Sequence, residues 1–296
     1  MTDPHLDTVM NERRQLINVA YRLLGSLAEA EDVVQETYAR WYTLSERQRE
    51  EIAAPGAWLT TVVSRICLDL LGSARARRER YVGQWIPEPV PGRSGWLAGP
   101  ASPDPADRVT LDESISMALL VVLDSMTPAE RVAFVLHDVF GYSFAEIAEV
   151  VGRTPAACRQ LASSARRRIG TSRAPSNTER AEVVRDFKRA WETKDIEALI
   201  GLLDPRATAT ADGGGLALAF LDPINGGEQI AHAWMELAIR GTPVTLVERT
   251  VNGQPGLVAE TDGTVVSVYA FDIADGRITS IWVIRNPEKL RPWTAG

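Results

Sequence analysis

Three sets of side chains have types and spacings suited to contacts with other macromolecules. The first follows Thr154-Pro155: Ala156, Arg159, Gln160 and Ser163 recur at helical intervals, with Arg166, Arg167 and Arg168 directly after. Arg and Gln can make paired hydrogen bonds to the edges of guanine and adenine. The trailing arginines suit phosphates, which fix register and carry no sequence information. The second set is Trp58, Arg65 and the cluster Arg75, Arg77, Arg78 and Arg80. Such a cluster suits a nucleic-acid backbone, and an aromatic beside it can stack an unpaired base. The third is Glu29, Asp32 and Glu36, spaced by three and four beside Val33, Val34, Thr37 and Trp41. That spacing makes an acidic stripe on a helix. A stripe of this sign repels DNA, so any partner would be protein. Each set also has a plainer reading: a helical hairpin with a solvated basic face, a core tryptophan with arginines in water, and an acidic face in water.

The elements that must position these residues are legible. Residues 9–81 read as helices with polar breaks: Leu16, Val19, Ala20, Leu23 and Leu24 have helical period, and Gly25 ends that helix. Ser26 and Glu29 have capping-box spacing, and a third helix runs from about Ala57 into the basic cluster. Its apolar face would be Leu59, Val62, Val63, Ile66 and Leu70. The stretch WIPEPVPGRSGWLAGPASPDPAD is a Pro/Gly-rich linker, extended where the prolines fall. Beyond it, Thr127–Glu130 and Ser143–Glu146 fit capping boxes, and Pro155 opens a further helix. Gly141-Tyr142 and Gly152-Arg153 make tight turns. Two short helices about such a turn describe a helix-turn-helix, whose second helix enters the major groove. After a polar break at Gly170–Asn177, helices at 179–194 and 229–240 precede strand-like runs at 244–251, 257–260, 265–273 and 278–285. Asp275-Gly276 turns the last hairpin.

Length and composition set the bounds. With 296 residues, 45% apolar and 24% charged, the chain suits two or three globular domains. Its net charge of −7 argues mildly against a nucleic-acid binder, but the charge is uneven. Residues 177–296 hold 17 acids and 12 bases (−5), leaving 22 and 20 (−2) before them. The C-terminal part is not built to hold DNA. Cys67 and Cys158 sit in apolar helical patterns and match no metal-ligand spacing. The first residues lack the apolar core of a secretory signal, and no run approaches the roughly 20 apolar residues of a membrane span. The expectation is a cytoplasmic, reduced protein with no membrane contact, no metal and no cofactor.

Taken in order, these segments resemble a family, the extracytoplasmic-function (group IV) sigma factors of RNA polymerase. SLAEAEDVVQETYARWY is similar to the region 2 helix that docks on the β′ clamp helices. The resemblance implies core-binding roles for Asp32, Val33, Gln35, Glu36 and Arg40, and partners in the polymerase core (β′ clamp helices, β flap) and promoter DNA. PGAWLTTVVSRICLDLLGSARARRER resembles the segment that melts and captures the −10 element, implying roles for Trp58, Arg65, Arg75, Arg77 and Arg78. The family often shows Arg-Asn where this chain has Arg65-Ile66. LDSMTPAERVAFVLHDVFGYSFAEIAEVVGRTPAACRQLASSARRRI resembles region 4, which reads the −35 element, here through Arg159, Gln160, Ser163, Arg166 and Arg167.

WIPEP at 85–89, Asp212-Gly-Gly-Gly215 and Asn286-Pro-Glu-Lys-Leu290 resemble signatures of the subgroup with a SnoaL-like C-terminal domain, the sigma-J type. Lys often follows the glycines there; this chain has Leu216. The implied regulatory residues are Trp85, Ile86, Pro87, Asp212, Gly213, Gly214, Asn286, Pro287, Lys289 and Leu290. The fold expected is multi-domain: two all-α modules, region 2 at 6–81 and region 4 at 108–170, a linker at 82–107, and an α+β SnoaL-like curved-sheet domain at 178–296. SnoaL-like folds surround a pocket, for which Asp212, His232, Asp262 and Trp282 are candidates, and a small-molecule ligand is a possible partner. No paired acid and base is evident, so an enzyme is not expected. Two rivals are a stand-alone helix-turn-helix regulator with a ligand-sensing domain and a SnoaL-type enzyme fused to a DNA-binding region. A repressor needs neither the acidic helix nor the separate basic segment.

Overall fold

The computed structural model describes residues 4–78, 81–92, 115–169 and 175–294, with side chains omitted at 4–11 and 74–78. Most of the 82–107 linker, Arg80, and the side chains of Arg75, Arg77 and Arg78 therefore lie outside the described residues. The chain divides into two compact units. The first comprises 1–79, 94–114 and 119–170, and the second 80–93, 115–118 and 171–296.

The helical unit contains α1 (Pro4–Leu24), α2 (Leu27–Thr43), α3 (Glu46–Glu50) and α4 (Pro55–Arg78). It continues with α5 (Met117–Asp124) from Leu119 onward, α6 (Pro128–Phe134) running into a π-helical turn at Val135–Val139, α7 (Phe144–Val151) and α8 (Pro155–Arg168). Local chemistry fixes the boundaries. Gly25, at φ 72°, closes α1 in a conformation that disfavours a side chain. The Ser26 hydroxyl accepts from the Glu29 amide at the start of α2, and complete capping boxes open α6 (Thr127, Glu130) and α7 (Ser143, Glu146). The expected apolar faces are buried: Leu16, Val19, Leu23 and Leu24 on α1, and Leu59, Val63 and Ile66 on α4. Cys67 and Cys158 are buried free thiols.

The second unit is α+β: α9 (Asn177–Thr193), α10 (Ile196–Leu202), β1 (Leu203–Asp212), β2 (Ile224–Asn225) and α11 (Gly227–Arg240). Four strands and a short helix follow: β3 (Thr245–Val251), β4 (Gln254–Thr261), β5 (Thr264–Ala274), β6 (Arg277–Ile284) and α12 (Arg291–Thr294). They form one six-stranded sheet of order β2-β1-β6-β5-β4-β3, antiparallel except where β1 runs parallel to β6. Asp275 and Gly276, both at positive φ, make the β5–β6 turn.

Strand register sorts the side chains between the two faces. Ala209 pairs with Ile281 and Ala211 with Val283, while Tyr269 pairs with both Val283 and Leu257. These residues join Phe187 and Trp191 of α9 and Ile230 and Trp234 of α11 in a single core. Each fully buried aromatic or branched side chain contributes roughly 1.5–3 kcal/mol. Thr210–Trp282 and Asp212–Ile284 are pairs on the opposite face. Trp282 and Ile284 are buried there as well, so the sheet is covered on both sides.

Candidate functional site

On α2, Asp32, Gln35, Glu36 and Arg40 are exposed, and Arg40 pairs with Glu36. Val33, which the family resemblance put among the core-binding residues, is 2% exposed. It belongs to the unit's own core because its position in the helical repeat faces inward with Ala30, Val34 and Thr37. Its side chain lies on the inner face of α2, opposite the exposed acids.

On α4, Trp58 is half-buried with its ring 5.3 Å from that of Trp41. Arg65 is exposed, and its Nη2 donates to the Glu149 carbonyl of α7 at 2.9 Å. Further bonds tie the two halves of this unit. Arg131 Nη1 donates to the Leu23 carbonyl (2.8 Å), and its Nη2 reaches Asp124 at 2.9 Å. Burial lowers the Arg131 guanidinium to about 10, which still leaves it charged at neutral pH. Arg22 lies over the Phe140 ring at 5.5 Å.

The helix-turn-helix is built as its sequence implies. Gly152 turns the chain at φ 68°, and the Thr154 hydroxyl accepts from the Ala157 amide to open α8. Arg159 and Gln160 are exposed, and Arg159 lies 5.2 Å over the Phe144 ring. Ser163 is half-buried and accepts from Arg167 at 3.5 Å. Arg166 bonds Asp138 at 2.6 Å, and Arg168 reaches the Ser125 carbonyl at 2.9 Å. Arg159 is thus steadied by the Phe144 ring, with Gln160 exposed next to it in sequence.

The second unit holds a clasp on the segment 81–92. Asp212, wholly buried at the end of β1, accepts from the Tyr81 hydroxyl (2.7 Å) and the amides of Ile86 and Gly214 (3.0 Å each). Lys289 Nζ is 2.7 Å from the same carboxylate, donates to the Ile86 carbonyl, and lies 4.3 Å over the Trp85 ring. Asn286 donates to the Tyr81 hydroxyl at 2.7 Å. Burial, then the hydrogen bond to Asp212, pushes the Tyr81 phenol up, which keeps it a donor. Gly214 is at φ 61°, and a Cβ there would collide with Asn286 Nδ2. Farther along, Val90 exchanges backbone and side-chain bonds with Asn252, and Trp293 Nε1 donates to the Pro89 carbonyl at 2.8 Å.

Trp85, Ile86, Asp212, Gly214, Asn286 and Lys289 therefore converge in one site, with Leu290 buried nearby in sequence. Pro87 and Gly213 are buried in the same segments, while Pro287 is exposed. Sequence reasoning missed Tyr81, Asn252 and Trp293. Asn252-Gly253 had a turn signature, but nothing local marked the other two.

The pocket residues differ from expectation. A cavity of about 650 Å³ lies in this unit, lined by Trp191, Phe220, Trp234 and Tyr269 among others. Asp212, His232, Asp262 and Trp282 do not line it. Asp212 and Trp282 fall on the opposite sheet face by strand parity, Asp262 sits in the β4–β5 turn, and His232 is exposed on α11.

A helix-turn-helix with exposed Arg159 and Gln160 and an exposed acidic face on α2 fit a transcription specificity factor. The Sigma-70 region 2 family matches residues 8–77, and Sigma-70, region 4 matches 116–169. The ECF RNA polymerase sigma factor SigJ of Mycobacterium tuberculosis is 38% identical over 292 residues, covering 94% of this chain and 90% of that protein. The probable ECF RNA polymerase sigma factor SigI of the same species is 37% identical over 287 residues, covering 96% and 93%. The crystal structure of M. tuberculosis SigJ superposes with a TM-score of 0.75 at 36% identity, covering 97% of this chain and 98% of that one. The chain belongs to the ECF RNA polymerase sigma factors.

Proposed function

We propose that this chain acts in the cytoplasm as a promoter-specificity subunit whose C-terminal domain sets its activity by holding the segment between its DNA-reading modules. The polymerase core supplies the chemistry and this chain supplies position. Asp32, Gln35, Glu36 and Arg40 form the docking face for the β′ clamp, and region 4 reaches the β flap. Trp58, Arg65 and the basic end of α4 engage the −10 element. Arg159, Gln160 and Ser163 read the −35 element, with Arg166 and Arg167 on phosphates.

The two elements lie roughly 25 base pairs apart, on the order of 85 Å at about 3.4 Å per pair. Within the helical unit Arg65 is bonded to α7, so that packing must open for both elements to be read at once. The observation that carries the regulatory reading is the buried Asp212 carboxylate, which gathers Tyr81, Ile86 and Lys289 onto one residue. A clasp on the connecting chain limits how far the modules part.

The test compares promoter-dependent transcription by the full chain, by Asp212→Ala and by Trp85→Ala at equal folded concentration. Altered output from the variants is expected. Identical output from all three removes the regulatory reading and leaves the promoter-specificity reading intact.

A further inference from the structure

The cavity of the second unit has a division of chemistry that the transcription function does not use. Its interior is aromatic: Trp191 packs edge-on to Trp234 and Tyr269 (centroids 6.1 and 5.4 Å), and Phe220 lies 6.2 Å from Trp234. Rings locked against one another form a preformed wall, and about 650 Å³ falls within the roughly 300–1,000 Å³ range of small-molecule sites. The rim is apolar and open to water, with Leu218 at 87% and Leu237 at 40% exposed. Exposed leucines around a hollow gain from an apolar occupant that covers them.

The charge at this cavity has one sign. Arg240 and Arg285 both line it, and among the described residues no carboxylate does. Arg240 has a long, exposed contact with Glu236 at 3.7 Å. Arg285 donates through Nη1 to the Leu218 carbonyl (2.6 Å), its Nε is buried with no acceptor, and among the described residues no carboxylate pairs with it. A half-buried guanidinium bonded to one backbone carbonyl keeps donors to offer an anionic oxygen, where charge assistance makes the hydrogen bond stronger.

We propose that this cavity binds an apolar organic acid, its ring or chain against Trp191, Trp234 and Phe220 and its carboxylate at Arg285, with Arg240 as the outer cation. The site is distinct from the clasp, since Ala211 and Val283 line the cavity while Asp212 and Ile284 face the other side of the sheet.

Isothermal titration of the full chain with 1-naphthoate and with 1-naphthalenemethanol tests this. The two share a ring body and differ in charge. Saturable one-to-one binding of the acid is expected, with the alcohol at least tenfold weaker. In Arg285→Gln, acid and alcohol should bind within about twofold of each other. The proposal is overturned by no saturable binding of the acid, by equal affinities in the unaltered chain, or by discrimination that survives Arg285→Gln. Should that variant fail to fold, the acid–alcohol comparison on the unaltered chain decides alone, with Arg240→Gln, an exposed position, expected to weaken the acid selectively.

Discussion

Asp212 and Lys289 meet at 2.7 Å with side chains 0% and 10% exposed, yet they are not equal partners. The carboxylate accepts from the Tyr81 hydroxyl, two backbone amides and the ammonium, whereas the ammonium also has the Ile86 carbonyl and the Trp85 ring. Removing the acid leaves a buried cation and three other donors short of an acceptor; removing the cation leaves a carboxylate still held by three neutral donors. Asp212→Ala should therefore destabilise the second unit by about 3–5 kcal/mol, the usual cost of breaking a buried pair. Lys289→Met should cost about 1–3 kcal/mol. Urea unfolding measures the order, and amide exchange over 85–92 should accelerate more in the Asp212 variant.

Asp32 and Glu36 are exposed, so replacing both with Ala should change folding stability by no more than about 0.5 kcal/mol at each site. If each meets a basic or polar group on the polymerase, worth about 1–3 kcal/mol, core affinity should fall about tenfold or more. A titration of labelled core checks this, and unchanged affinity would remove the docking assignment.

Arg65 and the Glu149 carbonyl lie 2.9 Å apart, which ties α4 to α7. Because Arg65 is also assigned to the −10 element, the uncross-linked Arg65→Cys, Glu149→Cys variant sets the reference: joining the two with a reducible bismaleimide should abolish its promoter-dependent transcription, and cleaving the linker should restore that reference level. The native thiols Cys67 and Cys158 are buried and should not compete. Full activity of the cross-linked protein would mean that promoter reading requires no opening there.

Glu130 caps α6. Burial acts to raise its pKa, but hydrogen bonds with Ser164 and with the amide and hydroxyl of Thr127, helped by Arg168, outweigh burial and hold it below the ordinary 4.5. A folded-state pKa below the unfolded one gives stability that is present above about pH 4.5 and lost as pH falls through the folded value. Urea midpoints should thus drop between pH 5 and pH 3, and Glu130→Gln should flatten that part of the profile. An unchanged slope in Glu130→Gln would contradict the linkage.

Local chemistry was readable from the chain alone. The Thr127–Glu130 and Ser143–Glu146 boxes, the Gly152 turn and the buried face of α4 are fixed by residues within four positions of each other. β1 was missed because its Ala/Thr alternation is weakly apolar and its pairing with β6 joins residues some 72 apart, Thr208 with Ser280. The same distance in sequence hid the clasp partners: Tyr81 is 131 residues from Asp212, and Trp293 is 204 from Pro89. The pocket candidates erred for a related reason. Trp282 and Val283 differ by one residue, and only the register says which of them faces the cavity.

The most direct test of the promoter-specificity role is runoff transcription with purified core polymerase on a library randomised across both promoter elements, with and without the full chain. Selective transcription of templates sharing a two-part consensus is expected only when the chain is present. Arg159→Ala should relax preference at one −35 position, a change of about 1–3 kcal/mol. Core that transcribes the library equally with and without the chain would contradict the account.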